Sequence, residues 1–228
     1  MQQSIFKFIL ILALIFVSKT KVWAQHGYAL WGKLKYSAGF SHLDYAKINA
    51  PQQGELRLVS NLRTSTFDKF NPFTIKGNSP AYLSNLMFDS LLTGSLDETA
   101  SAYGLLAQEV KVSADGLSAT FVLRPNAKFH NDQAVSAQDV LYSFETLNGP
   151  FTSPGYKTLL ADVASAKVLN SSTIVFYFKK ANRELPLTVG GLPIFSRSWG
   201  LDKTTQKSKP FDQIIQDPPI GSGPYKIG

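Results

Sequence analysis

The chain has 228 residues, 44% hydrophobic and 17% charged, with no cysteine and a formal net charge of +7. That balance excludes global disorder and suits one sizeable core or two modest ones. The missing thiols exclude disulfides, a thiolate metal site and the acylated cysteine of a lipoprotein, and the scattered basic residues leave no footprint for nucleic acid.

Residues 1 to 24 read as a secretory signal peptide. Lys7 gives a weakly basic start, Phe8 to Val17 is an unbroken apolar run, and Val22-Trp23-Ala24 places a small residue before Gln25. The run is too short to cross a bilayer core, which needs roughly 20 residues. Cleavage after Ala24 and export to a periplasm-like compartment are expected. Removing Lys7, Lys19 and Lys21 from the +7 leaves a mature part of +4.

Beyond Pro51 and Gly54, Leu56, Leu58 and Val59 predict a largely buried strand, followed by a polar loop that ends at Pro72. Ser79 as cap, Pro80 at the first helical position, and Leu83, Leu86, Met87 and Leu91 on one face predict a helix that Gly94 ends. Asp115-Gly116 is a turn signal, and the alternation around it predicts a hairpin of about Val110 to Val112 and Ala119 to Leu123. Ser136 and Asp139 form a capping pair for a helix carrying Val140, Phe144 and Leu147, with Asn148-Gly149-Pro150 as its stop. A short helix near Lys157 to Val163 and two strands about a polar three-residue turn within residues 166–180 follow. Residues 181–200 read as turns, and Asp202 to Pro210 as a polar connection. The final "GPYKIG" reads as the start of a strand with Tyr225 and Ile227 on one side. A strand starting there lacks the rest of its core, which points to a fragment.

Three histidines, His26, His42 and His130, stand at no metal-ligand spacing, so no metal site is expected. His130 admits two readings. One is a general base oriented by Asp132; the other is a partly buried ring that bonds a loop between the hairpin and the capped helix. No nucleophile elbow of the Gly-x-Ser-x-Gly kind accompanies it, which favours the second. "GSGPY", Gly221 to Tyr225, is no phosphate loop, because Pro224 and Tyr225 lead into extended chain rather than a helix. It is either a place where glycines admit another main chain or a ligand, or a plain tight turn. The loop from Thr64 to Pro72 is likewise either a ligand rim or a polar turn.

The stretch "LLAQEVKVSADGLSATFVLRPNAKFHNDQAVSAQDVLYSFETL", residues 105 to 147, resembles the signature of the family 5 extracellular solute-binding proteins, the dipeptide and oligopeptide class of importer receptors. "PIGSGPY" is similar to that family's Gly-Thr-Gly-Pro-Tyr element, with Ser222 in place of threonine. "YALWGKLKYSAGFSHLDYAKINAPQQGEL" and "TFDKFNPFTIKGN" resemble the Yej-type branch, associated with peptide and microcin C uptake. Two departures stand out: Asn131-Asp132-Gln133 lacks the family's glycine after His-x, and Pro51-Gln52-Gln53-Gly54 replaces "PKGG".

The resemblance implies an α/β fold of the type II periplasmic binding protein kind, here the first lobe with an inserted smaller α+β subdomain and without the second lobe. The segments would be 25–72 and 186–228 for the main subdomain and 73–185 for the insertion. It implies a non-enzymatic, monomeric receptor without cofactor, which captures extended peptides and delivers them to an ABC-type permease in the inner membrane. Ser65, Thr66 and Phe67 at one rim loop and Gly221, Ser222, Gly223 and Tyr225 at a second are the ligand-binding residues it suggests. A secreted α/β hydrolase using His130 and an exported scaffold without a ligand are the alternatives.

Overall fold

The computed structural model describes residues 24–51, 53–58, 66–80, 82–202, 204–205 and 207–227. The leader up to Trp23, Val59 of the predicted strand and Ser65 of the first rim lie outside them.

Near the N-terminus β1 (Gly27–Ala29) begins a small antiparallel sheet. The expected strand over Leu56 and Leu58 does not form: both side chains are exposed, and no ladder partner lies beside them among the described residues. Helix α1 is confined to Leu83–Met87, and Tyr82, not Ser79, precedes its first turn. It stops early because the carbonyls that should continue the helical ladder are taken from outside. Leu86 O accepts from Tyr225 N and Met87 O from Gly223 N, both at 3.0 Å, and Phe88 turns extended. Leu91 is buried as expected but lies beyond the helix at a bend, followed by β2 (Leu92–Gly94) and β3 (Ser101–Gly104). The sheet order is β1-β3-β2.

The hairpin forms where the sequence placed it, from β4 (Ala107–Val112) and β5 (Ser118–Leu123). Gly116 takes φ 69° in the turn, and Asp115 Oδ1 accepts from Leu117 N at 2.9 Å. Ala119, Phe121 and Leu123 alternate inward along β5. Then come α2 (Ala137–Leu147), α3 (Pro154–Leu159), β6 (Val163–Asn170) and β7 (Thr173–Phe178). Helix α3 begins earlier than expected, with Pro154 in its first turn, where a missing N–H costs nothing. Ser171 and Ser172 alone join β6 to β7, one residue fewer than predicted. The four strands form an antiparallel sheet in the order β4-β5-β7-β6, against which α2 packs. Phe144 of α2 meets Phe176 edge-on at 5.5 Å, and Phe176 meets Phe121 at 5.9 Å.

The capping pair is present. Asp139 Oδ2 accepts from Ser136 N at 3.0 Å and from Ser136 Oγ at 2.5 Å, while Oδ1 accepts from Arg197 N and Nε at 3.2 Å. Asp139 is buried, so its loss strands several donors at once. Asp139→Ala is expected to lower stability by about 2 kcal/mol in urea unfolding, and Asp139→Asn by less.

A short α4 (Leu185–Gly190) occupies the region read as turns, with Pro186 in its first turn. After it, Phe195, Trp199 and Phe211 gather with Phe73 and Phe88 in one aromatic cluster. Phe195 stacks on Phe211 at 5.5 Å and on Phe73 at 5.6 Å, and Trp199 meets Phe211 edge-on at 5.7 Å. No strand forms over residues 224–227. The family's two missing glycines fall at left-handed positions: Gln53 has φ 82° and Asp132 φ 65°.

Candidate ligand-binding site

Gly221 to Tyr225 passes directly against Leu86 to Phe88. An added Cβ would stand 1.8 Å from Met87 O at Gly221 and 2.6 Å from Leu86 O at Gly223, so only glycine lets the two main chains meet. Of the readings open for "GSGPY", close approach of another main chain is the one found. His130 clamps the segment from the opposite direction, through its backbone N to Gly221 O at 2.8 Å and its Nε2 to Gly223 O at 2.9 Å. A carbonyl can only accept, so Nε2 donates and carries a proton. Nδ1 is buried and has no hydrogen-bond partner, so Asp132 does not orient it.

Asp89 leaves this paired segment on the next residue. Burial pushes its carboxyl above the ordinary range, while the Ser222 hydroxyl and the charge of His130 act in the opposite sense. The Ser222 hydroxyl is close enough to ease ionisation of Asp89, yet it is buried and makes no hydrogen bond of normal geometry. Asp, His and Ser are the side chains a hydrolase uses, but this trio offers no exposed nucleophile, and His130 Nε2 is spent on Gly223 O.

The paired segments form a ridge between two cavities, with Pro224 on the wall of both. One, about 490 Å³, contains Asp89, Asn85, Thr93 and Tyr156. The other, about 610 Å³, is an apolar groove that includes Leu58, Phe70, Leu83, Met87, Tyr225 and Ile227. Both volumes lie within the range usual for small-ligand sites, roughly 300–1,000 Å³.

The first rim loop is braced by its own polar side chains. Asp68 Oδ2 accepts from Asn78 N at 2.8 Å and from Thr66 Oγ1 at 2.9 Å, which hold its carboxyl below the usual range, the backbone donor foremost. Lys69 is buried and donates to Thr74 O and Oγ1, both at 2.6 Å; burial lowers its pKa. Asn71, also buried, accepts from Phe73 N and donates to Phe211 O at 2.9 Å across 140 residues of sequence. The described part of the loop, from Thr66 on, is therefore a fixed wall.

The expected residues separate on this frame. Thr66 is exposed and bound to Asp68 and Asn78. Phe67 is exposed, its ring 4.8 Å from that of Phe70 in the groove. Tyr225 lines the same groove, so the two rims meet there through Phe70 and Tyr225. Gly221 and Gly223 are buried and their carbonyls are engaged. Sequence reasoning missed Asp89, and the exposed Leu56 and Leu58, whose place in the groove explains apolar residues without a strand. Among the described residues, no group of three or more His, Asp or Glu side chains could hold a metal ion.

Residues 101–228, more than half of the chain, match the family described as bacterial extracellular solute-binding proteins, family 5 middle. The chain belongs to that family. This family 5 chain is 39% identical over 222 residues to the "Probable peptide-binding protein YejA" of Agrobacterium fabrum, covering 96% of itself and 35% of that relative. It therefore spans about a third of the length of the curated relatives it matches. Among solved structures, NikZ of Campylobacter jejuni in complex with Ni(L-His) is similar with a TM-score of 0.52 and 28% identity, over 69% of this chain and 30% of that one. The periplasmic binding protein DppA of Helicobacter pylori in complex with the peptide STSA gives 0.55 and 24%, over 69% and 34%. The fold is thus the type II periplasmic binding protein fold, with mixed α/β architecture.

Proposed function

We propose that this family 5 chain is part of a periplasmic receptor that captures peptides for an ABC-type importer. The observation that carries the reading is the apolar groove in which the rim loop, through Phe70, and the glycine segment, through Tyr225, converge. Fixed walls and an apolar floor suit varied side chains, and main-chain pairing along an extended peptide gives affinity with little sequence preference. The peptide-binding name of the 39% identical relative supports a peptide over the nickel–histidine complex held by NikZ. Of the residues expected from sequence, Phe67 and Tyr225 stand best for side-chain contact; Ser65, Thr66 and Ser222 belong to the same proposal as rim residues, and Gly221 and Gly223 as the backbone that positions it.

The inserted subdomain, residues 73–185, is part of this reading, supported by the four-stranded sheet lying wholly within 107–178. So are a monomeric state, closure of a second lobe over the ligand and recognition of the closed shape by the permease. The half-buried, carbonyl-bound His130 supports binding without catalysis.

Calorimetric titration of the full chain with trialanine and trileucine tests the proposal. Saturable heat is expected, with Kd raised about tenfold by Tyr225→Ala, roughly 1.4 kcal/mol. Absence of saturable heat with either peptide overturns it.

A further inference from the structure

A third cavity, about 520 Å³, opens where the start of α2 meets the chain that follows α4, and it shares no wall residue with the two beside the Pro224 ridge. Gln133, Ser136 and Asp139 supply one side of it, and Ser196, Arg197 and Ser198 the other. Asp139 and Arg197 are the charged side chains on this wall, and they are placed unequally: the Asp139 side chain is 7% exposed and that of Arg197 56%. The acid is sunk, its charge spread over four donors: Ser136 N and Oγ on one oxygen, Arg197 N and Nε on the other. The base stands in the mouth. A guanidinium carries five N–H donors in a rigid plane, and the Asp139 carboxyl takes the one on Nε. Neither terminal nitrogen of Arg197 makes a hydrogen bond among the described residues.

The Gln133 amide is committed at one end in the same way. Its Oε1 accepts from Asn131 Nδ2 at 2.9 Å, from Ser198 Oγ at 3.1 Å and from Ser196 Oγ at 3.5 Å, while its Nε2 has no partner among the described residues. The carboxyl and amide oxygens of this wall are therefore engaged, and the donors left over are the outer fork of one guanidinium and one amide nitrogen. A planar anion complements them. A carboxylate accepts two parallel N–H bonds from such a fork, which adds geometric selectivity to the attraction of charge.

We propose that this third cavity binds a carboxylate in the fork of Arg197 Nη1 and Nη2, with a further bond from Gln133 Nε2. The carboxylate belongs either to a free small acid or to an acidic side chain of a partner protein. The site is independent of the peptide reading, because the groove and the cavity beside Asp89 are lined by other residues. Its two sides, joined by the Arg197–Asp139 bond across 58 residues of sequence, belong to separate stretches of the chain, so an occupant bound to Gln133 and Arg197 together ties them further.

The test is a ¹⁵N–¹H NMR titration of the full chain at constant ionic strength with four probes: sodium acetate, N-acetyl-glutamic acid α-amide, neutral acetamide and inorganic phosphate. Saturable shifts confined to the stretches Gln133 to Asp139 and Ser196 to Leu201 are expected with at least one carboxylate and not with acetamide. Acetate binding as tightly as the glutamate probe, or more tightly, assigns the site to a free acid; tighter binding of the glutamate probe assigns it to a side chain of a partner. Arg197→Lys keeps the charge but loses the fork. Gln133→Glu keeps the oxygen that Asn131 and Ser198 use and replaces the amide donor with a negative charge. Each should raise the Kd about tenfold, with a thermal midpoint close to that of the parent chain. No saturable shift with either carboxylate, equal shifts with acetamide, tighter binding of phosphate than of both carboxylates, or undiminished affinity in both variants overturns the proposal. Trialanine and trileucine calorimetry reports on the receptor reading alone, so either result can fail without the other.

Discussion

Gly221→Ala will lower the stability of the chain by about 3 kcal/mol, read as a fall in the urea midpoint with an unchanged slope. The new methyl carbon would lie 1.8 Å from Met87 O and 2.9 Å from the Phe88 ring, and the nearest atoms are backbone, which cannot swing aside. Relief requires the 221–225 segment to lift off Leu86 to Phe88. That breaks the bonds from Gly223 N and Tyr225 N to Met87 O and Leu86 O, and pulls Gly221 O and Gly223 O from His130. Gly94→Ala is the control: an added Cβ there meets nothing within 4 Å, so its effect should stay within about 0.5 kcal/mol. If Gly221→Ala matched Gly94→Ala, the two main chains would not be in contact in solution. Peptide affinity should fall with stability in Gly221→Ala, because the displaced strip carries Pro224 and Tyr225 of the groove.

Phe195→Ala is expected to cost about 3–5 kcal/mol. Phe195 is fully buried and meets Phe73, Trp199, Phe211 and Tyr142, joining residues far apart in sequence. Truncation leaves a cavity between rings that are themselves pinned: Phe73 follows Asn71, which holds Phe211 O, and Trp199 Nε1 donates to Asp217 O at 3.0 Å. The site collapses little, so most of the cavity cost remains. Phe151→Ala, at a half-exposed ring, should change the melting temperature little, and the two values measured by thermal unfolding give the contrast. A loss for Phe195→Ala as small as that for Phe151→Ala would show that the aromatic cluster is not packed as one unit.

Both substitutions act on contacts that no short window of sequence displays. The hairpin at Asp115-Gly116 and the Ser136–Asp139 box were legible because each is closed by residues a few positions apart, where turn geometry and helix periodicity leave their mark. The predicted helix over Ser79 to Gly94 failed for the converse reason. Its periodicity is genuine, but Leu86 and Met87 give their carbonyls to Tyr225 and Gly223. Likewise Leu56 and Leu58 suggested a buried strand, and the structure uses them as the wall of a groove. Thr66 and Phe67 could be placed on a polar loop but not on a particular side of it, since the brace that orients the loop runs through Lys69, Asn71 and Phe211. Asp89 carried no sequence signal, standing between Phe88 and Ser90 in no recognisable motif.

By itself, the order of residues determined the family, the antiparallel hairpin, the capped helix and the expectation that His130 serves the scaffold, all of which rest on local geometry or on motif spacing. Only the tertiary structure decided which backbone the glycines of "GSGPY" approach, where α1 ends, and that a lone carboxyl stands on one side of a ridge and an apolar groove on the other. Those features depend on segments brought together across more than ninety residues of chain, as in the His130–Gly223 bond. Such meetings are chosen by burial and hydrogen-bond satisfaction of the whole core.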